Sequence, residues 1–409
     1  MRIGYYIHHT SLKAGGIFTY SVGILKLLID VNEIDSIDLI IEKDQLSYFQ
    51  KFTKSSKVNL KIINRNKLTT KIRLAFSYFI FDIYILYNEN KNVRKKLKIL
   101  KRLSFLINPY KKFVNPKRID LLHVPLQYSP IYGSKIPIII TMHDLQEFHY
   151  PEFFDANERL HRAINNKKAI LESDHIIVSF NHVKNDLLKY FNIAEEKVSV
   201  CPPPFSKDWF ATKEITKKEI LEKKYGINEQ FILYPAATWQ HKNHINLIKS
   251  LKKLQEDGQP IQLICTGNKT DFFEKIKDVL HKLQMEEQVK FLGIIPESDL
   301  IGLYKNTSLV VIPTLYEAGS GPLYEAMRYG APVICSNVTS LPETMGKDEF
   351  IFDPTDINEM SKLINRMLTN IDFKNENLQN SKMRMEKFII LNYGDNFLRT
   401  FNQLDKKQR

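Results

Sequence analysis

Two glutamates eight residues apart bracket a glycine-rich turn in the run Pro313-Thr-Leu-Tyr-Glu317-Ala-Gly-Ser-Gly-Pro322-Leu-Tyr-Glu325-Ala-Met-Arg-Tyr-Gly330-Ala-Pro-Val-Ile-Cys-Ser336. Carboxylates do not hold phosphate, which they repel; they accept hydrogen bonds from neutral hydroxyls. The residues between them, Gly319, Ser320, Gly321, Pro322 and Leu323, read as the opening of a helix, with Pro322 suited to the first helical position and Gly330 to the C-terminal cap. A helix N-terminus offers unpaired N–H groups and positive potential to an anion. Hydroxyl acceptors on either side of an anion site fit a diphosphate with a sugar at each end, which is a nucleotide sugar.

The elements that position these residues follow from the apolar runs. Leu309–Ile312 and Pro332–Cys335 have the pattern of buried parallel strands. Further strand-like runs are Arg2–His8, Ser36–Ile41, Asp120–Val124, Pro137–Met142, His175–Ser179, Lys197–Cys201, Phe231–Pro235, Ile261–Cys265 and Val289–Leu292. Helical segments such as Ile17–Ile29, Asn157–Ser173 and His244–Glu256 lie between them. Arg384 to Leu404 reads as one or two helices with a break at Tyr393-Gly-Asp395. The alternation predicts an α/β fold of doubly wound parallel sheets. A chain of 409 residues exceeds a single core, which rarely grows past about 250–300 residues. The prolines of Cys201-Pro-Pro-Pro-Phe205 mark a stiff boundary. The expected division is therefore 1–204, 205–390 and a C-terminal segment, 391–409. Ligands in such sheets collect beyond the strand C-termini. Gly15-Gly16, His143-Asp144, Trp239-Gln-His-Lys242-Asn-His244 and Thr266-Gly267 all follow strand-like runs.

Hydrophobic content of 43% and charged content of 26% are ordinary for a folded chain. Cys201, Cys265 and Cys335 lie in apolar contexts, where buried free thiols are expected, and no metal-ligand spacing appears. The first residues lack the apolar core of a signal peptide, which points to a cytoplasmic setting. The net charge of +13 is concentrated: Lys91 to Arg118 holds eleven Lys or Arg and no Asp or Glu. Just before it, Ile72 to Tyr87 is rich in aromatic and aliphatic residues but is interrupted by Arg73 and Asp82, too short a run to span a membrane. An apolar helix followed by a basic one suits a peripheral anchor on anionic lipid. A core helix followed by a solvated one explains the same residues. No recognised motif points to nucleic acid, which is not an expected partner.

Glu317 and Glu325, with Gly-Pro between them and Gly330-Ala-Pro-Val-Ile-Cys-Ser and Leu341-Pro-Glu343 after them, resemble the E-x7-E motif of family 4 retaining glycosyltransferases. Trp239-Gln-His-Lys-Asn-His244, Phe291-Leu-Gly293 and Gly15-Gly16 match the family in the same order. The similarity covers most of the chain; the insertion at about 66–118 matches nothing in it. The resemblance implies the GT-B architecture, two Rossmann-like domains facing across a cleft, with a last helix that returns to the first domain. It implies that Glu325 binds the donor's ribose and Glu317 the transferred sugar. Lys242 is implied to neutralise the diphosphate, Gly16, next to Gly15, to approach the phosphate, His143 to stand at the sugar end, and Gly293 and Ile294 to meet the base. One departure is Ala236, where many members carry an arginine; His241 or His244 then stands in, or the helix N-terminus does more. Trp239 is read as a packing residue rather than a platform for the base, and Asp144 as structural.

The resemblance implies retaining transfer of a hexose-type sugar from a nucleotide-diphosphate sugar to a hydroxyl of a glycan or lipid-linked glycan, in bacterial surface polysaccharide synthesis. It implies neither metal nor cofactor. Two other readings stay open: an epimerase or phosphorylase on the same fold, and a non-catalytic membrane or nucleic-acid binding module that uses 91–118.

Overall fold

A computed structural model describes residues 1–7, 16–88, 94–203, 213–227, 229–390 and 393–406. Its contacts divide the chain into two units, Met1–Ser206 with Asn392–Arg409, and Lys207–Leu391.

The first unit holds strands β1 (Arg2–Ile7), β2 (Ser36–Glu42), β3 (Val58–Ile63), β4 (Leu121–Val124), β5 (Ile138–Met142), β6 (His175–Val178) and β7 (Val198–Val200). Its main helices are α1 (Gly16–Asp30), α2 (Leu68–Asn88), α3 (Arg94–Ile107), α4 (Ala156–Glu172) and α5 (Asn181–Tyr190). The sheet order is β3-β2-β1-β4-β5-β6-β7, and every pairing is parallel. Side chains alternate faces along a strand, and here both faces are buried. Ile3, Tyr5 and Ile7 of β1 enter one core, while Tyr6 enters the other. That is why these strands are almost wholly apolar.

The second unit holds β8 (Phe231–Pro235), β9 (Gln262–Thr266), β10 (Val289–Phe291), β11 (Leu309–Ile312), β12 (Val333–Ser336) and β13 (Ile351–Phe352) in the order β10-β9-β8-β11-β12-β13. Its pairings are also all parallel. Its helices include α6 (Lys218–Tyr225), α7 (His244–Glu256), α8 (Phe273–Leu283), α9 (Glu297–Asn306), α10 (Gly321–Tyr329), α11 (Leu341–Met345), α12 (Ile357–Thr369) and α13 (Ile371–Ile390). Connections from β8 leave toward one edge and those from β11 toward the other. The gap between their C-terminal ends is the topological switch point, where such sheets take ligands.

A last helix, α14 (Tyr393–Lys406), belongs to the first unit. Its Phe397, Leu398, Phe401 and Leu404 share a core with Ile24, Leu25 and Leu28 of α1. Phe401 also meets the buried His123 ring, with centroids 5.6 Å apart. Arg384 to Leu404 is two helices, α13 ending at Ile390 and α14 beginning at Tyr393, so Tyr393-Gly-Asp395 is the first turn of α14 rather than the break itself. The three cysteines are buried and free. Burial pushes the Cys201 thiol up to about 12. Two strands missed by the sequence reading, β3 and β13, both lie at sheet edges, where Asn59 and Lys61 interrupt the apolar pattern of one and the other is only two residues long.

Candidate active site

Lys242 and Glu317 come from the two segments that leave the switch point of the second sheet. After β8 the chain makes a tight turn at Gln240–Lys242 and is handed into α7 by Asn243, whose φ is +60°. The Asn243 side chain donates to the carbonyls of Pro313 (2.8 Å) and Pro354 (2.9 Å). The His241 carbonyl accepts from the Leu315 N–H (2.8 Å) and the Thr314 hydroxyl (2.9 Å). The turn is thus stapled to the segment after β11. There Lys242 Nζ donates to Glu317 Oε2 at 2.5 Å, with both side chains under one-fifth exposed. A charge pair this enclosed persists only because each partner neutralises the other.

Glu317 is held by its backbone. The Thr339 hydroxyl accepts from the Glu317 N–H (3.1 Å) and donates to the Glu317 carbonyl (2.6 Å), to which the Ser340 hydroxyl also donates (2.7 Å). Thr339 has φ +53°, a left-handed conformation that costs a β-branched residue of order 1–3 kcal/mol. Among the described residues three non-glycines have positive φ, and two of them, Asn243 and Thr339, adjoin this ion pair. Replacing Thr339 by Val keeps the strain and removes both hydrogen bonds. We expect turnover to fall about tenfold and stability by about 1–3 kcal/mol. Thr339→Gly relieves the strain and loses the clasp, so its turnover should fall while its melting temperature changes less. Steady-state kinetics and thermal denaturation read this; a Val variant with parental turnover would show the clasp to be idle.

Gly319 has φ +124°, and Ser320 caps α10 by accepting from the Leu323 N–H at 3.4 Å. Pro322 lies in the first turn, and Gly330 closes the helix at φ +72°. Gly321, the first helical residue, is exposed, and a Cβ built there meets nothing within 4 Å. Glu325, one turn in, accepts from the buried Tyr304 hydroxyl at 2.8 Å. Burial holds the Glu325 carboxyl above its ordinary value of 4.5, against the opposing hydrogen bond from Tyr304 and the charge of Lys213. Gly293, at φ +72°, accepts from the Gly267 N–H at 2.8 Å, and Ile294 beside it is 82% exposed. Gly267 is obligatory, since a Cβ on it would lie 2.8 Å from the Ala236 carbonyl carbon.

Lys242 and Glu317 are thus joined directly, while Glu325 sits deeper on α10 against Tyr304. His143 and Gly16 belong to the first unit, and Gly15 lies outside the described residues. His143 follows β5. Its Nε2 lies 3.0 Å from the Pro125 carbonyl, which can only accept, so that nitrogen carries the proton and Nδ1 the lone pair. Its ring stands edge-on to Tyr20, with centroids 4.9 Å apart, and burial lowers its pKa, so the imidazole is neutral. Gly16 opens α1, and a Cβ there meets nothing within 4 Å. Asp144 pairs with Arg162 at 2.9 Å, which also grips Glu147.

Two readings of individual residues change. His244 cannot replace the missing arginine as a cation: its ring is buried against Tyr234 and Phe291, and burial, with Lys242 nearby, lowers its pKa to about 3. Trp239 is not a packing residue, being 54% exposed. Tyr304, Thr339 and Ser340 went unnoticed, because their contacts to the glutamates span 21 to 23 residues and leave no local signal.

Two parallel Rossmann-like sheets, the second with paired glutamates and a lysine at its switch point, define a GT-B glycosyltransferase. Residues 217–384 match the family model of glycosyl transferases group 1, and residues 81–209 match that of glycosyltransferase family 4, so the stretch expected at about 66–118 to match nothing in the family is matched from residue 81 on. The chain belongs to the family 4 glycosyltransferases. It is similar to the O-antigen chain mannosyltransferase RfbU of Salmonella typhimurium, 24% identical over 84% of this chain and 85% of that protein. It is also similar to the O-antigen chain mannosyltransferase B of Escherichia coli, 26% identical over 66% of this chain and 73% of that one. Its fold matches Anabaena Alr3699/HepE, solved with UDP and glucose, at a TM-score of 0.67 and 15% identity over 98% of this chain and 100% of that one.

Proposed function

We propose that this glycosyltransferase retains configuration, moves a hexose from a nucleotide-diphosphate sugar to a hydroxyl of a glycan or lipid-linked glycan, and needs neither metal nor cofactor. The observation that carries the reading is the Lys242–Glu317 pair ahead of the α10 N-terminus. In this reading the donor diphosphate takes Lys242 and the backbone at the start of α10, where Gly321 carries the N–H, and a hydroxyl of the transferred sugar donates to Glu317. Glu325, with one oxygen held by Tyr304, accepts from the ribose. Gly321 and Gly16 have no described neighbour that forbids a side chain and no positive φ, so a ligand passing close to the backbone explains them better than packing does. Gly293 and Ile294 meet the base, and His143, neutral, stands by the sugar. As the leaving diphosphate gains charge, Lys242 stabilises it, the work a divalent cation does elsewhere. The leaving phosphate oxygen takes the acceptor's proton on the same face, so no separate carboxylate pair is called for.

The mannosyltransferases among the similar proteins make mannose the first sugar to test and a bacterial surface polysaccharide the product. The protein then works in the cytoplasm, at the inner face of the membrane, where lipid-linked acceptors are built. The test is a thermal-shift panel of UDP, GDP and their sugar conjugates. A ligand at about 100 times its Kd adds roughly 2.7 kcal/mol of stability. One base should shift the transition. Transfer measured next should survive EDTA, and its complete loss there would overturn metal independence.

A further inference from the structure

Helices α2 and α3 form a hairpin whose inner face is occupied. Ser77 and Ser104 exchange hydrogen bonds, Asn108 donates to Ser77 at 3.0 Å, and Phe81, Tyr84 and Leu97 form a small core with Tyr132. The outer face is apolar as well. On α2, Leu68, Ile72, Phe76, Phe79 and Leu86 are 70, 47, 59, 62 and 73% exposed. Steps of four, four, three and seven put them on one stripe of the helix, about 27 Å long at about 1.5 Å per residue. Ile99, Leu103 and Leu106 are exposed on α3. Nine of the 22 exposed large apolar side chains among the described residues fall in these two helices, so this is a patch and not scatter.

Charge identifies the occupant. The one acid within α2 and α3, Asp82, is paired with Lys168. Lys71, Lys98, Arg102, Lys111 and Lys112 are exposed around the hairpin. A surface that offers hydrocarbon and negative charge together, over tens of ångströms, is an anionic bilayer. No helix among the described residues is long and apolar enough to cross one, so the contact lies in the interface plane. We infer that the outer face of α2 beds into the interface of an anionic membrane, with the basic residues of α3 and the following turn on the headgroups. This deepens the reading that the acceptor is membrane-borne, and it assigns the hold to apolar insertion as much as to charge.

Co-sedimentation of the full chain with vesicles tests it without donor or acceptor, so failure of the glycosyl-transfer reading leaves the result intact. Vesicles of phosphatidylglycerol and phosphatidylethanolamine should bind the protein, and pure phosphatidylcholine should bind it far less. Phe76→Ser and Phe79→Ser should each weaken partitioning roughly tenfold or more, at low and high salt alike. Lys98→Gln, Arg102→Gln and Lys111→Gln should each cost about fivefold at low salt and little at high salt. A melting temperature without ligand that is unchanged in all five variants shows that they fold. The inference is overturned if the parent does not bind anionic vesicles, or if the phenylalanine variants bind as the parent does. It also fails if those variants convert a dimer to a monomer on size exclusion while vesicle binding stays parental, which would make the stripe a contact between copies.

Discussion

Lys242→Ala is expected to lower kcat about 10²- to 10³-fold, the range for removing one preorganised group from a developing negative charge. Lys242 is the cation brought to Glu317, and His244, held neutral by burial, cannot take its place. The variant also strands the Glu317 carboxylate, which is only 13% exposed, so its melting temperature should fall. Glu317→Ala should cut turnover more than nucleotide affinity, because its proposed ligand is the sugar. The double variant Lys242→Ala/Glu317→Ala removes both charges. It should be more stable than Lys242→Ala alone while remaining as inactive. Kinetics and calorimetry on the four proteins decide it. A Lys242→Ala enzyme with near-parental kcat would remove the lysine from the mechanism, and equal loss of nucleotide affinity in Lys242→Ala and Glu317→Ala would sink the division of roles.

Glu325→Gln should weaken nucleotide binding roughly 10- to 100-fold, the loss expected when a charged acceptor is withdrawn from one or two hydroxyl donors. The fold should not suffer. Burial raises the Glu325 pKa, so the folded state favours its protonated form. The stability this carboxyl allows is present below its unfolded pKa and is lost as the pH rises through the raised one. At neutral pH the parent therefore bears the cost of a buried charge that Gln does not, and Gln still accepts from Tyr304. The variant should melt at or above the parent temperature at pH 7, and the two should converge as the pH falls. Nucleotide affinity of the parent should decline on acidification from above the ordinary carboxylate range. Melting curves from pH 4 to 8, with and without nucleotide, show both effects. A variant that binds nucleotide like the parent would displace Glu325 from the ribose.

The features legible in the sequence were those with short-range causes. Gly330 as a cap, Pro322 in the first turn of α10 and the strand–helix alternation all follow from local geometry. Lys242 and Glu317 were each picked out, yet nothing local says that they touch across 75 residues. The Thr339 clasp was hidden for a stronger reason: a β-branched residue is a poor candidate for left-handed backbone, and only the fold reveals that in that conformation its hydroxyl reaches both backbone polar groups of Glu317. Edge strand β3 escaped because Asn59 and Lys61 break the apolar run that marks a central strand, and β13 because two residues are too few to show a pattern. The burial of His244 and the exposure of Trp239 depend on how the turn at Gln240–Lys242 lies on its neighbours, which no spacing rule encodes.

The course of the chain through its two units fixes an order of synthesis. The segment Lys207–Leu391 is one uninterrupted stretch, so every residue of the second unit has been made before α14 begins. The first unit, translated first, is finished last: Phe397 and Phe401 belong to its core. On the ribosome the leading unit therefore cannot complete its core until the second unit has been made. Until α14 is released, Ile24, Leu25 and Leu28 of α1 lack the apolar side chains that cover them in the finished core. A nonsense mutation before residue 393 would leave the second unit with all its parts and the first without a wall of its core.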